Sequence, residues 1–150
     1  MDLILWRHAE AEDGAPDAAR ALTGKGRKQA DQMARWLRQR LPADCTLIAS
    51  PAVRTQQTAA ALGMKINTSA KLGVHASPAD VLAAAGWPDN ARAVVVVGHQ
   101  PTLGEVAARV LTGHVAGWPV KKGALWWFST RNRGGELQTV LRAAMSPDLL

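Results

Sequence analysis

The sequence predicts an α/β fold: a three-layer α/β/α sandwich whose sheet is mainly parallel, with antiparallel strands at one edge. Three observations predict it. Short apolar, β-branched runs alternate with stretches in which apolar residues recur at helical spacing. Alternation of this kind implies parallel strands joined by helices on both faces of a sheet. The last two strand-like runs have only a turn rich in Arg, Asn and Gly between them, so they form a hairpin and the antiparallel edge. A chain of 150 residues is long enough for a core of its own, and it reads as one domain over residues 1–150.

The elements follow in order. Leu3-Ile4-Leu5-Trp6 is a short apolar strand that runs straight into Arg7-His8. Glu10 to Ala21, rich in Ala, Asp, Gly and Pro, is a loop with room for one helical turn, passing over the strand ends. Thr23 is the expected N-cap of a first helix, in which Ala30, Met33, Ala34, Leu37 and Leu41 recur at helical spacing and which Pro42 stops. Thr46–Ala49 is the second strand. Ser50-Pro51 then reads as a cap followed by a first-position proline, which puts Arg54 in the first turns of a second helix ending at Gly63. Met64-Lys65-Ile66 is a short third strand. Ser77-Pro78 repeats the cap-and-proline signal for a helix to Ala85, closed by Gly86. Ala93–Val97 is a buried strand, β-branched and without charge, followed at once by Gly98-His99-Gln100-Pro101. Thr102 to Glu105 fits a capping box, and the helix it opens ends at Gly113. Ala124–Ser129 and Glu136–Leu141 are the hairpin strands.

Composition narrows the function classes. Nothing approaches the ~20 apolar residues that a membrane span requires, and Met1-Asp2 lacks the basic region of a secretory signal. The single cysteine, Cys45, allows no internal disulfide and suits a reducing cytoplasm; it reads as a small core filler rather than a nucleophile. The net charge of +6 reads first as a generally basic surface, next as a field that attracts phosphorylated or acidic proteins, and last as a nucleic-acid binder. Trp6 and Trp126-Trp127 lie within strand-like runs, so they are expected to pack rather than to stack on bases.

Three strands end in residues that carry chemistry: Arg7-His8 after the first, Arg54 just past the second, and His99 after the fourth. Parallel strands bring these ends to one edge of the sheet, where open α/β folds bind ligands. Cations are costly to bury unless an anion meets them. A phosphoryl group fits best, because forked guanidinium donors pair with its oxygens two at a time.

The motifs in series resemble the histidine phosphatase superfamily, in its short SixA-type phosphohistidine phosphatase branch. The matching text is Arg7-His8-Ala9-Glu10-Ala11; Leu22-Thr23 with Gly26 and Gln29-Ala30; Ser50-Pro51 with Arg54-Thr55 and Gln57-Thr58-Ala59; and Val97-Gly98-His99-Gln100-Pro101. The resemblance implies a phosphoglycerate mutase-like fold and a phosphatase that needs no metal and no cofactor. His8 is then the nucleophile that accepts the phosphoryl group, Arg7 and Arg54 bind its oxygens, and His99 donates a further hydrogen bond. Arg7 and Arg54 are expected to hold the pKa of His8 down, so that the ring is neutral and able to attack. Larger members of the superfamily carry a carboxylic acid that protonates an alkoxide leaving group. Here Lys71 to Ser77 holds no carboxylate, and Asp80 reads as a first-turn helix residue. An imidazole leaves more easily than an alkoxide, so the resemblance points to phosphohistidine on a protein, with phosphotransfer domains or carrier proteins as partners. Glu10 and His75 are candidate proton donors, and Arg20 is a candidate substrate contact. Competing readings are a small-molecule phosphomonoesterase of the same fold and a basic protein that binds phosphate without turnover. A metal hydrolase using His8, Glu10, His99 and His114 is disfavoured, because Arg7 and Arg54 would repel a divalent cation.

Overall fold

The first strand lies next to the middle of a six-stranded sheet with the order β3-β2-β4-β1-β5-β6 in the computed structural model, which describes residues 1–150. The strands are β1 (Asp2–Arg7), β2 (Thr46–Ala49), β3 (Ile66–Thr68), β4 (Val94–Gly98), β5 (Leu125–Arg133) and β6 (Glu136–Met145). The helices are α1 (Gly24–Arg38), α2 (Val53–Ala60), α3 (Pro78–Ala85) and α4 (Thr102–Thr112). Single 3-10 turns occupy Asp17–Ala19, Ala70–Leu72 and Pro147–Leu149. β1 to β4 are parallel, and β5 and β6 add the expected antiparallel edge.

Strand alternation makes the three layers. Ile4 and Trp6 of β1, with Val95 and Val97 of β4, face α1 and α2 and pack with Met33, Leu37 and Leu47. Leu3 and Leu5, with Val94 and Val96, face the other way and pack with Val81 of α3 and Leu103 and Val106 of α4. Side chains so fully buried each contribute roughly 1.5–3 kcal/mol relative to exposure. A rigid sheet centre follows, and the ends of β1 and β4 inherit that rigidity. Their register pairs Arg7 with Gly98, which sets His8 and His99 side by side. No helix is long and apolar enough to cross a membrane.

Several boundaries differ from expectation, each for a local reason. Thr23 caps α1 as expected, its hydroxyl accepting from Gly26 N, but the helix ends at Arg38, before Leu41. Ser50 does not cap α2. The helix begins at Val53 after Ala52, because the Ser50 hydroxyl is drawn to Thr55 and His99. β3 starts at Ile66, the first of these residues to pair with β2. No capping box forms at α4: the Thr102 hydroxyl donates instead to Ala76 O at 2.9 Å. A capping box does form at α3, between Ser77 and Asp80, so Asp80 is tied to the helix start. Gly86 and Gly113 close α3 and α4 at φ values of 70° and 82°, where a Cβ would be strained. The hairpin strands run longer than expected, because Gly134 and Gly135 make the tight turn between them. Cys45 is half-buried rather than in the core, and burial raises its thiol pKa, which disfavours nucleophilic chemistry. Trp6 and Trp127 are buried as packing residues, and Trp126 is half-buried against Trp118 and Phe128.

Candidate active site

The backbone carries the first part of the site. Arg7 ends β1, and His8 continues it, with His8 N donating to Gly98 O of β4 at 3.1 Å. The two imidazoles lie with ring centroids 5.5 Å apart. Arg54 enters from α2, and its Nη2 lies 3.4 Å from His99 Nδ1. Thr58, one turn along α2, locks this helix to the segment that continues β1: its hydroxyl accepts from Ala9 N at 3.1 Å and donates to Arg54 O at 2.8 Å. His8, His99 and Arg54 therefore lie together at the ends of β1 and β4, and Arg7 is near enough for its charge to act on both rings. His8 is 8% exposed, Arg54 3% and His99 3%, so all three are shielded from water.

Hydrogen bonding assigns the tautomers. His8 Nδ1 lies 2.8 Å from Ala9 O. A carbonyl only accepts, so Nδ1 carries the proton and Nε2 presents its lone pair. At His99 the order is reversed. The Arg54 guanidinium only donates, so His99 Nδ1 accepts and Nε2 carries the proton toward Ser50 Oγ at 2.7 Å. Ser50 Oγ lies 2.7 Å from Thr55 Oγ1, which donates to Ala52 O at 2.8 Å and Ser50 O at 2.9 Å. A file of hydroxyls thus runs from His99 to the backbone at the start of α2.

Both imidazoles are held at a pKa of about 4. The larger cause is burial, which disfavours the charged ring; the arginines add repulsion. Arg7 and Arg54 lower the His8 pKa as expected, and burial contributes the larger part. The consequence is as anticipated: His8 is neutral at ordinary pH.

Asp17 is the residue that sequence reasoning missed. Its carboxylate accepts from Arg54 Nη2 at 3.0 Å and its backbone O from Arg54 Nη1 at 2.9 Å, and the Arg54 bond holds the carboxyl below its usual pKa. Arg20 does not reach the cleft directly. Its Nε donates to Asp17 Oδ1 at 3.0 Å and its Nη1 to Glu12 O at 3.1 Å, so it braces the loop that carries Asp17. The Glu10 carboxylate accepts from the Thr23 hydroxyl at 2.7 Å, at the start of α1. His75 is exposed on the loop before α3. No three His, Cys, Asp or Glu side chains come together as a metal-binding group, and His114 is exposed beyond α4.

Two donors have no acceptor within the protein: Nε of Arg7 and Nε of Arg54, both buried. Buried guanidinium hydrogens left unpaired are costly. The two guanidinium charges act on both neutral imidazoles, and such a setting suits an anion that is open to attack. A phosphoryl group has both properties.

Known proteins share this arrangement of elements. The family model for the histidine phosphatase superfamily, branch 1, matches residues 3–77. A protein of Picosynechococcus sp. is 34% identical over 132 residues, covering 76% of this chain and 77% of its own. A structure from Nakamurella multipartitia, named for the phosphohistidine phosphatase SixA, superposes with a TM-score of 0.80 at 28% identity, covering 97% of this chain and 95% of that one. The protein histidine phosphatase SixA complexed with tungstate superposes with a TM-score of 0.79 at 23% identity, covering 99% of both chains, a likeness of fold.

Proposed function

The chain belongs to the histidine phosphatase superfamily, and we propose that it hydrolyses phosphohistidine on a protein through a phosphorylated His8. The observation that carries the reading is the neutral His8 ring, its Nε2 free of any partner, beside His99 and the Arg54 guanidinium. In the first step His8 Nε2 attacks phosphorus in line, the P–N bond to the substrate imidazole breaks, and that imidazole leaves with the electron pair and takes up a proton. In the second step water attacks the phosphorus on His8, and inorganic phosphate and neutral His8 are released. Ala9 O holds the Nδ1 proton throughout, stabilising the positive charge that develops on the ring as the new bond forms. Arg7 and Arg54 meet the charge spread over the phosphoryl oxygens in the loose transition state. They neutralise it from fixed positions, so the protein side chains supply the charge that metal ions supply elsewhere.

His99 also borders the phosphoryl group. For its Nδ1 to donate there, Nδ1 must take a proton from solvent while Nε2 releases one to solvent, and the Ser50 hydroxyl must then turn to donate to Nε2. Ser50 and Thr55 are able to turn together because each accepts as well as donates. Ser50 and Thr55 are thus positioning residues acting through His99.

The substrate preference rests on leaving-group chemistry. No carboxylate stands between α2 and Asp80, and Asp80 is committed to capping α3. An imidazole leaves without a strong acid; an alkoxide does not. The protein is accordingly expected to act on phosphotransfer or carrier proteins in the cytoplasm. A kcat/KM panel with a phosphohistidine protein, phosphoserine and sugar phosphates tests this. A preference for the phosphohistidine protein by at least about a hundredfold is expected, the low end of what general acid catalysis contributes. Equal turnover of the alkyl esters assigns the protein as a small-molecule phosphomonoesterase, and binding without turnover assigns it as a phosphate-binding protein.

A further inference from the structure

Basic side chains outside the histidine cleft gather in one place. Lys25 and Lys28 at the start of α1 and Lys121 and Lys122 ahead of β5 line a groove of about 600 Å³, together with Glu10 and Asp148. Both walls are fastened to the strand that carries the nucleophile. On one wall, Arg7 Nη1 donates to Val120 O at 2.8 Å and Gly123 N donates to His8 O at 3.0 Å, so the two intervening lysines are clamped from either side. On the other wall, Glu10 N donates to Gln29 Oε1 at 3.0 Å and Thr23 N to Glu10 O at 3.0 Å. Gly26 lies so close that a Cβ there would overlap the Glu10 carbonyl oxygen, which brings Lys25 and Lys28 against the continuation of β1. The groove therefore has Glu10, two residues past His8, in its lining.

Its charge is unbalanced. Lys121 pairs with Asp148 at 3.2 Å, and the Glu10 carboxylate is taken by Thr23. Lys25, Lys28 and Lys122 have no carboxylate within ion-pair distance. Like charges brought onto two facing walls repel, and an anionic occupant relieves the repulsion. Neither an aromatic side chain, on which bases stack, nor an arginine fork lines the groove. Lysine point charges without stacking surfaces suit carboxylates better than a nucleic acid.

We propose that this groove docks an acidic segment of the substrate protein adjacent to its phosphorylated histidine. The inference rests on the reading of His8 given above and deepens it. It explains how a cleft that recognises only a phosphoryl group selects among phosphoproteins.

Two synthetic phosphohistidine peptides of equal length test it, one flanked by glutamates and the other by glutamines. At low salt the wild-type protein is expected to favour the glutamate peptide about tenfold in kcat/KM, through KM, the order expected of three exposed charge pairs acting together. High salt should abolish the preference. The triple variant Lys25→Gln, Lys28→Gln, Lys122→Gln should lose it while cleaving the glutamine peptide as fast as wild type. A wild-type ratio near one, or an unchanged ratio in the variant, overturns the proposal. So does a lysine-dependent affinity for a single-stranded oligonucleotide that exceeds the affinity for the glutamate peptide. Direct binding of the two unphosphorylated peptides separates this inference from the catalytic reading. If neither phosphohistidine peptide is cleaved, the reading of His8 fails. The groove still stands or falls on whether the glutamate peptide binds about tenfold more tightly, and only with the lysines present.

Discussion

Replacing Arg54 with alanine removes the charge on which the cleft most depends. Its guanidinium is buried, lies 3.4 Å from His99 and has an unpaired Nε. One unit charge about 4 Å from a phosphoryl oxygen is worth ~4 kcal/mol at an effective dielectric of about 20, or close to three decades in rate. Asp17 shares that charge at 3.0 Å, which reduces the net effect. Arg54→Ala should therefore lower kcat/KM by roughly 10²- to 10³-fold. Arg54→Lys, which keeps the charge but loses the fork, should fall between the two. A second readout follows from the same geometry. Arg54 contributes to the lowered pKa of both histidines, so its loss should raise the pH of the acid limb of activity from its wild-type position near 4. Steady-state kinetics from pH 3.5 to 8 on a phosphohistidine substrate, with the spontaneous hydrolysis of this acid-labile bond measured without enzyme and subtracted, and with Tm recorded for each variant, measures both effects. A folded Arg54→Ala protein within tenfold of wild type, with an unmoved acid limb, would refute the electrostatic argument.

Other outcomes follow from the same contacts. Ser50→Ala removes the group that accepts from His99 Nε2 at 2.7 Å, and kcat should drop about tenfold with little change in KM, the order of one hydrogen bond lost in the transition state. In ¹⁵N spectra of the wild type, His99 should carry its proton on Nε2 when free and on Nδ1 when tungstate is added; Ser50→Ala should not show the change, and a proton fixed on Nε2 in wild type would contradict the turning of the Ser50 hydroxyl. Acid should weaken the fold through the same histidines. Both are held near 4 in the folded state against an ordinary 6.5, so below pH 6.5 the unfolded chain takes up protons that the folded chain refuses. The stability each neutral ring contributes is complete above pH 6.5 and lost as pH falls to about 4, by up to about 3 kcal/mol per ring. Urea unfolding at pH 7 and pH 4.5 should show this decline in wild type and much less of it in the double variant His8→Asn, His99→Asn; equal declines would show that other groups are responsible.

Much of the cleft was legible in the residue order, and the reason is physical. The apolar runs of β1 and β4 are so uniform that their ends are unmistakable, and Arg7, His8 and His99 stand at those ends. Parallel pairing then brings them together without knowledge of the loops. Arg54 was found because Pro51 marks a helix start, although the helix begins two residues later than that signal suggests. The remaining features depend on contacts that local patterns do not encode. Ser50 looks like a helix cap and instead serves His99, because a hydroxyl next to a proline is equally suited to both. Asp17 was hidden in a loop rich in Ala, Gly and Pro, where no periodicity marks an exposed side chain that reaches across to Arg54. The tautomer of His8 is set by a backbone carbonyl, Ala9 O, whose direction the sequence does not reveal. The dominance of burial over charge in the histidine pKa values emerged only once helices were packed over the strand ends.

The central claim is a covalent one, and it is tested by stopping the reaction during turnover of a ³²P-labelled phosphohistidine protein. The account predicts acid-labile, alkali-stable label on His8, with ¹⁵N and ³¹P spectra placing phosphorus on Nε2, and no label on His8→Ala. Turnover with no label on His8, or with phosphorus on Nδ1, would contradict it.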